Sequence, residues 1–112
     1  MSDIEEKIKF DFRAEAHRVS EAAKPYLVVF ERENMTVELF IPRESDTQGP
    51  HDRDELYFIV AGKGTFRRGK ELVRFGPGDV LFVRAHVPHR FESYSGDFKT
   101  WVVFFGNSIP RE

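Results

Sequence analysis

The pattern of apolar and polar positions predicts a short helix near the start of the chain and β-strands throughout the rest. After Pro25, short apolar segments alternate with turns that contain glycine or proline. Many short strands separated by such turns are typical of an all-β sandwich or barrel. The predicted strands are Tyr26–Arg32, Met35–Ile41, Leu56–Ala61, Thr65–Arg68, Glu71–Phe75, Val80–Val83, His89–Tyr94 and Phe98–Phe105.

The segment before Pro25 has a weaker, helical pattern. Asp11 is a residue type that caps helix N-termini, and Pro25 disfavours helical geometry at the residue before it. These residues predict a helix from Asp11 to about Ala23, preceded by a loose arm over residues 1–9. The apolar stripe of this helix is thin and consists of Ala14, Val19, Ala22 and Ala23.

Three of the predicted strands, Leu56–Ala61, Val80–Val83 and Trp101–Phe105, are apolar on both alternating faces. A sheet with one face in water alternates polar and apolar residues instead. One face of these strands is expected to fill a barrel, and the other needs the N-terminal helix or a second subunit to cover it. Because the apolar stripe of the helix is too narrow to cover this face, we expect a homodimer. Ile4 and Ile8 of the arm are expected to add contacts to it.

Composition narrows the class of protein. With 112 residues the chain has the size of one domain, composed of an N-terminal arm and helix (1–25) and a barrel (26–112). Apolar residues make up 40% and aromatic residues 14%, which excludes a disordered chain. A net charge of -2 gives no excess of basic residues of the kind that binds nucleic acid. No apolar run is long enough to span a membrane, and the acidic start is not a signal peptide. We therefore expect a cytoplasmic protein that binds neither nucleic acid nor membrane.

The candidate chemistry comes from histidine and carboxylate, because the chain has no cysteine to supply thiolates or iron–sulfur clusters. His51 and Glu55 are four residues apart, so on an extended strand they point to the same face. His89 begins a later strand that can bring a second imidazole to the same point. Two histidines and one carboxylate suit iron(II), manganese, nickel or zinc. For each residue alone, the simpler interpretation is a surface hydrogen bond.

The spacing of these residues resembles that of the cupin superfamily. The segment from His51 to Glu55, followed by six residues and Gly62, is similar to the end of the first cupin motif. Gly78, followed by ten residues and His89, is similar to the second motif. The resemblance extends from about Met35 to Phe105. It implies a double-stranded β-helix, the jelly-roll barrel of cupins, here with a short N-terminal helix.

The resemblance also implies a ligand set. Cupins hold a metal with two histidines and a glutamate from the first motif and one histidine from the second. By position, His51, Glu55 and His89 match three of these ligands, and Gly49 takes the place of the missing histidine. The site is then either a three-ligand metal centre with open positions or a site that has lost its metal. The second motif departs from the family pattern at Arg84, His86 and Ser93.

Five further residues are candidates for contacts with a small-molecule ligand: Arg53, Tyr57, His86, Phe91 and Trp101. Arg53 and Tyr57 share strand parity with Glu55, and an inward-facing arginine suits a substrate carboxylate. The alternative is an exposed arginine paired with a neighbouring aspartate. His86 is interpreted as a ligand, a proton shuttle or a rim residue. Phe91 and Trp101 either form an aromatic wall or belong to the core.

The resemblance implies one divalent metal ion (Fe, Mn, Ni or Zn) in a dioxygenase or an isomerase that acts on a small molecule. Such a metal polarises a carbonyl or lowers the pKa of bound water. The alternative is a non-catalytic protein that binds a sugar or a small acid without metal. Because one fold hosts many functions, metal content is the observation that separates the two.

Overall fold

The structure is a computed structural model that describes residues 7–46 and 48–110. It confirms a mainly β fold with one short helix. The helix α1 is Phe12–Ser20, and the strands are β1 (Tyr26–Arg32), β2 (Met35–Phe40), β3 (Asp54–Ala61), β4 (Gly64–Arg68), β5 (Glu71–Phe75), β6 (Val80–Val83), β7 (His89–Tyr94) and β8 (Lys99–Phe105). Within these described ranges, no helix is long and apolar enough to cross a membrane.

The strands form two antiparallel sheets. One has five strands in the order β1-β2-β8-β3-β6, and the other has three in the order β5-β4-β7. Strands that are distant in sequence pair directly, as β3 does with β8 and β4 does with β7. These crossovers bring the start of β3, from one sheet, and the start of β7, from the other, into the same region of the fold.

Aromatic side chains fill the space between the two sheets. Along β3, Tyr57 and Ile59 are buried, whereas Phe58 between them is 39% exposed, so the strand has alternating inner and outer faces. Phe91 on β7 lies at the centre of this core, with ring centroids 4.7 Å from Phe66 and 4.9 Å from Tyr57. This packing fixes which side chains of β3 and β7 point inward.

Helix α1 is shorter than expected: it ends at Ser20 rather than near Ala23. A residue of a distant loop contributes to this end: the Arg43 guanidinium donates hydrogen bonds to carbonyl oxygens of the last helical turn and of the residues that follow it. The shortest of these hydrogen bonds, 2.7 Å, joins Nη2 to the Ala22 oxygen. The same nitrogen lies 3.2 Å from the Val19 oxygen and 3.1 Å from the Lys24 oxygen. Since these carbonyls have a side-chain partner, the backbone leaves the helix without losing hydrogen bonds.

The start of α1 agrees with the sequence. Asp11 has extended backbone geometry, and its Oδ2 accepts a 2.9 Å hydrogen bond from the Ala14 N–H. We expect Asp11→Ala to cost about 1 kcal/mol of unfolding free energy, because this N–H loses its partner. Thermal unfolding should show a midpoint about 4 °C lower. Asp11→Asn retains an acceptor, so it should keep most of the stability; equal losses in both variants would contradict the capping role.

The outer face of the five-stranded sheet is covered on one half only. Helix α1 packs on β1 and β2, and its Phe12 ring lies edge-on to Trp101, with centroids 6.1 Å apart. On the other half, Phe58 of β3 faces Val80 of β6, and both are exposed, as is Phe82. We call these three residues the open patch.

Candidate metal site and cavity

A cavity of about 450 Å³ opens at the end of the barrel where β2, β3 and β8 meet. Its volume lies within the range of pockets that bind small molecules. Its walls are partly aromatic and partly charged. They consist of Tyr26, Glu38, Phe40, Gln48, Gly49, His51, Asp52, Arg53, Glu55, Val102 and Phe104.

His51, Glu55 and His89 converge beside this cavity. His51 belongs to the segment before β3, Glu55 is the second residue of β3, and His89 is the first residue of β7. One ligand atom from each lies within 4.8 Å of the others. His89 Nε2 is 3.1 Å from Glu55 Oε1, and His51 Nε2 is 3.9 Å from the same oxygen. Glu55 comes from the five-stranded sheet and His89 from the three-stranded sheet, and the segment that leads into β3 brings His51 beside them.

The hydrogen bonds of His89 and Glu55 leave a position between them for a proton or a divalent cation. His89 Nδ1 donates a 2.8 Å hydrogen bond to the Val87 carbonyl oxygen, which can only accept. In the neutral imidazole, Nε2 therefore carries a lone pair directed at Glu55. Neither Nε2 nor the two Glu55 oxygens has a hydrogen-bond partner among the described residues, although all three atoms are buried. Two electron-rich atoms this close require a proton or a cation between them.

The two histidines have opposite pKa shifts. Burial lowers the pKa of His51, and Glu55 only partly offsets this effect. Burial also acts to lower the pKa of His89, but the adjacent Glu55 carboxylate, the Val87 carbonyl and the Asp46 charge together outweigh burial and raise it. His51 is thus held neutral, as metal ligation requires.

Two of the five candidate ligand-contact residues lie at the site. Arg53 lines the cavity, where its guanidinium donates a 3.0 Å hydrogen bond to Thr36 Oγ1 and lies 5.6 Å from the centre of the Phe104 ring. Within residues 7–46 and 48–110, its side-chain hydrogen bond goes to Thr36 rather than to Asp52 or Asp54. Tyr57 is fully buried beneath the cavity, and its hydroxyl donates a 3.1 Å hydrogen bond to Gln48 Oε1.

The other three candidates do not line the cavity. Phe91 belongs to the aromatic core, and Trp101 lies on the outer face of β8 against Phe12 of the helix. Trp101 faces outward because strand alternation gives the cavity its neighbour Val102 instead. His86 bonds through Nε2 to the Ile109 carbonyl oxygen and has a φ of 71°, the geometry that glycine adopts freely.

Gln48 and Glu38 line the cavity but were not among the candidate residues predicted from the sequence. Gln48 precedes Gly49 in a loop, where no periodicity predicts the direction of a side chain. Glu38 follows Thr36 with the same parity on β2, and the pairing of β2 with β8 turns both inward. In the sequence, Glu38 shares the polar face of an alternating strand with Thr36, and alternation alone does not show that this face points inward.

Glu38 has an unusual titration. Burial raises its pKa to about 7, the Glu55 charge adds to the increase, and the Arg53 charge opposes it. A carboxyl group with a pKa near 7 exchanges protons readily at neutral pH, unlike an ordinary glutamate. The cavity thus places the Glu38 carboxyl, whose pKa burial raises, and the Arg53 guanidinium beside the histidine–glutamate cluster.

Comparison with known proteins identifies the family. The family model described as the cupin domain matches residues 36–105. This range includes all three clustered residues. The chain belongs to the cupin family. An uncharacterised protein of Streptomyces coelicolor is 37% identical over 81 residues, which cover 70% of this cupin and 77% of that protein.

Two further similarities involve solved structures. A dimethylsulfoniopropionate lyase of Ruegeria pomeroyi, DddQ, is 36% identical over 58 residues, 51% of this cupin but only 29% of that enzyme. Its crystal structure superposes with a TM-score of 0.59, covering 68% of this chain and 40% of the other. An RmlC-like cupin of Methanocaldococcus jannaschii, with a double-stranded β-helix fold, gives a TM-score of 0.65 at 17% identity and covers 93% of both chains. The jelly-roll fold is therefore shown.

Proposed function

We propose that this cupin binds one divalent metal ion through His51, Glu55 and His89 and acts on a small carboxylic acid in the adjoining cavity. The observation that carries the proposal is the convergence of two imidazoles and a buried carboxylate, in which His89 Nε2 and both Glu55 oxygens have no hydrogen-bond partner among the described residues. Iron, manganese, nickel and zinc all accept this donor set.

The other cavity residues support a role in proton transfer. When bound, a divalent ion supplies Lewis-acid polarisation of a substrate oxygen. Arg53, already ordered by Thr36, is positioned to receive a substrate carboxylate. Glu38 can accept or release a proton near neutral pH, which an isomerisation or an elimination requires.

The reaction class is therefore proposed to be isomerisation or elimination. The partial similarity to dimethylsulfoniopropionate lyase supports this choice for the shared 58 residues. Dioxygenation is the second candidate, because three protein ligands leave positions open for dioxygen and substrate. Oxygen uptake by the iron-loaded protein distinguishes the two: consumption linked to substrate loss favours dioxygenation.

Metal titration tests the binding proposal. We expect wild-type protein, stripped with chelator and titrated calorimetrically with Zn²⁺ or Mn²⁺, to bind one ion per chain. Glu55→Gln, which keeps the shape and removes the charge, should bind much more weakly. A wild-type protein that takes up no ion but binds small acids or sugars would instead support the metal-free binding protein.

We also propose that the chain forms a homodimer through the open patch. Phe58, Val80 and Phe82 are 39%, 53% and 43% exposed and lie side by side on paired strands. An apolar two-fold contact is the commonest way to cover such a face. Of the two arm residues expected to contribute, Ile8 is exposed and Ile4 lies outside the described residues.

Sedimentation at micromolar concentration should give about twice the 13.1 kDa mass of one chain. Val80→Glu should shift the population to monomer, because a charge cannot be buried cheaply at an apolar interface. The matched control is Leu72→Glu, which changes an exposed apolar residue of the three-stranded sheet outside the patch. A wild-type species of single-chain mass would contradict the homodimer.

A further inference from the structure

The side chain of Gln48 lies against the proposed metal site in a fixed orientation. Its Nε2 donates a 2.8 Å hydrogen bond to Oδ2 of Asp46, which is 9% exposed. The Asp46 carboxylate is itself held by the backbone N–H groups of Gln48 and Phe91, at 3.1 and 2.8 Å. Because an ionised carboxylate only accepts, the amide nitrogen of Gln48 must face Asp46. Its oxygen must then face the opposite way.

That oxygen faces the metal-binding nitrogen of His51. Gln48 Oε1 is 3.3 Å from His51 Nε2, the atom that also faces Glu55. Two ligands at about 2.1 Å from one ion are separated by about 3.0 Å when they are at right angles and about 3.4 Å in a tetrahedron. The 3.3 Å between Gln48 Oε1 and His51 Nε2 lies within this range, as does the 3.1 Å between His89 Nε2 and Glu55 Oε1. His51 Nε2 and Glu55 Oε1 are farther apart, at 3.9 Å.

The hydrogen bonds of Gln48 leave it able to bind a cation. An amide oxygen has two lone pairs, of which the Tyr57 hydroxyl occupies one. When His51 Nε2 ligates a metal, it has no proton left to donate to Gln48. The second lone pair of Gln48 Oε1 then lacks a partner beside the ion.

We propose that Gln48 supplies a fourth ligand, its amide oxygen, to the metal held by His51, Glu55 and His89. This inference rests on the proposed function and deepens it. Gln48 thereby takes over the role left vacant at Gly49, but from the preceding residue and with an oxygen in place of a nitrogen. Amide and carboxylate oxygens together favour the harder ions, so the site should hold Mn²⁺ better than a site of nitrogen ligands does.

The test counts the water ligands of bound Mn²⁺ from the relaxation of solvent protons, in wild type and in Gln48→Met at saturating Mn²⁺. Methionine keeps the length of the side chain but has no oxygen, so a water should replace the lost ligand. We expect one additional water and Mn²⁺ affinity about 10 to 100-fold weaker, with a smaller loss for Zn²⁺. Asn107→Ala removes an exposed amide and is the matched control.

Other outcomes separate this inference from the proposed function. If wild type binds Mn²⁺ and Gln48→Met retains the same number of waters, Gln48 is not a ligand, whatever the change in affinity. If wild type binds no ion, both proposals fail. Should Gln48→Met not fold, Gln48→Asn keeps the amide but shortens its reach, and the same additional water is expected.

Discussion

His89→Ala is expected to abolish most metal binding while the protein stays folded. His89 is the only one of the three clustered residues that comes from the three-stranded sheet, so its loss removes the ligand that closes the site. Because loss of residues that merely support metal ligands costs 10 to 100-fold in affinity, we expect the dissociation constant for Zn²⁺ to rise by at least about 100-fold. Calorimetric titration measures this directly.

The matched control for this variant is His17→Ala. His17 is an exposed histidine on α1 that lies 3.4 Å from Glu21, far along the chain from the site. Its removal should leave Zn²⁺ affinity unchanged. Circular dichroism of both variants checks that the fold persists. Equal affinities of wild type and His89→Ala would show that His89 is not a ligand.

Gly62→Ala is expected to destabilise the barrel by about 3 kcal/mol or more. Gly62 has a φ of 88°, and a Cβ atom there would lie 2.4 Å from the Phe98 Cα atom. The β3–β4 connection and the segment before β8 would have to separate, which disturbs the core around the buried Phe98 ring. The midpoint of thermal unfolding should fall by about 12 °C.

Gly69→Ala separates the two causes of this loss. Gly69 also has positive φ, 60°, but a Cβ atom there meets nothing within 4 Å. This variant has the backbone strain without the collision, so we expect a loss of about 1 kcal/mol. If the two variants lose equal stability, the close approach of Gly62 to Phe98 does not contribute.

The sequence predicted the strands well because their signals are local. Turns at glycine and proline marked the ends of most strands, and period-two alternation put Glu55 and Tyr57 on the inner face. The main difference is that β3 begins at Asp54 rather than Leu56, because Asp54 and Glu55 both pair with β8. The meeting of His51 with His89 followed from the cupin-like spacing, not from alternation alone.

Other features depend on contacts between distant segments and so were not predictable. Arg43 contributes to the end of α1, although it lies more than 20 residues after the helix residue Val19 whose carbonyl it binds. Trp101 was expected at the cavity, but the register of β8 places Val102 there and turns Trp101 toward the helix. Gln48 lies in a loop, and only the hydrogen bonds of Asp46 show where its amide points.

The central claim is that His51, Glu55 and His89 hold one metal ion, and anomalous diffraction from crystals grown with Zn²⁺ tests it most directly. With data collected at the zinc absorption edge, we predict one anomalous peak per chain, about 2.0–2.2 Å from His51 Nε2, His89 Nε2 and a Glu55 carboxylate oxygen. An anomalous map without a peak among these three side chains, or with zinc bound only elsewhere on the chain, would contradict the account.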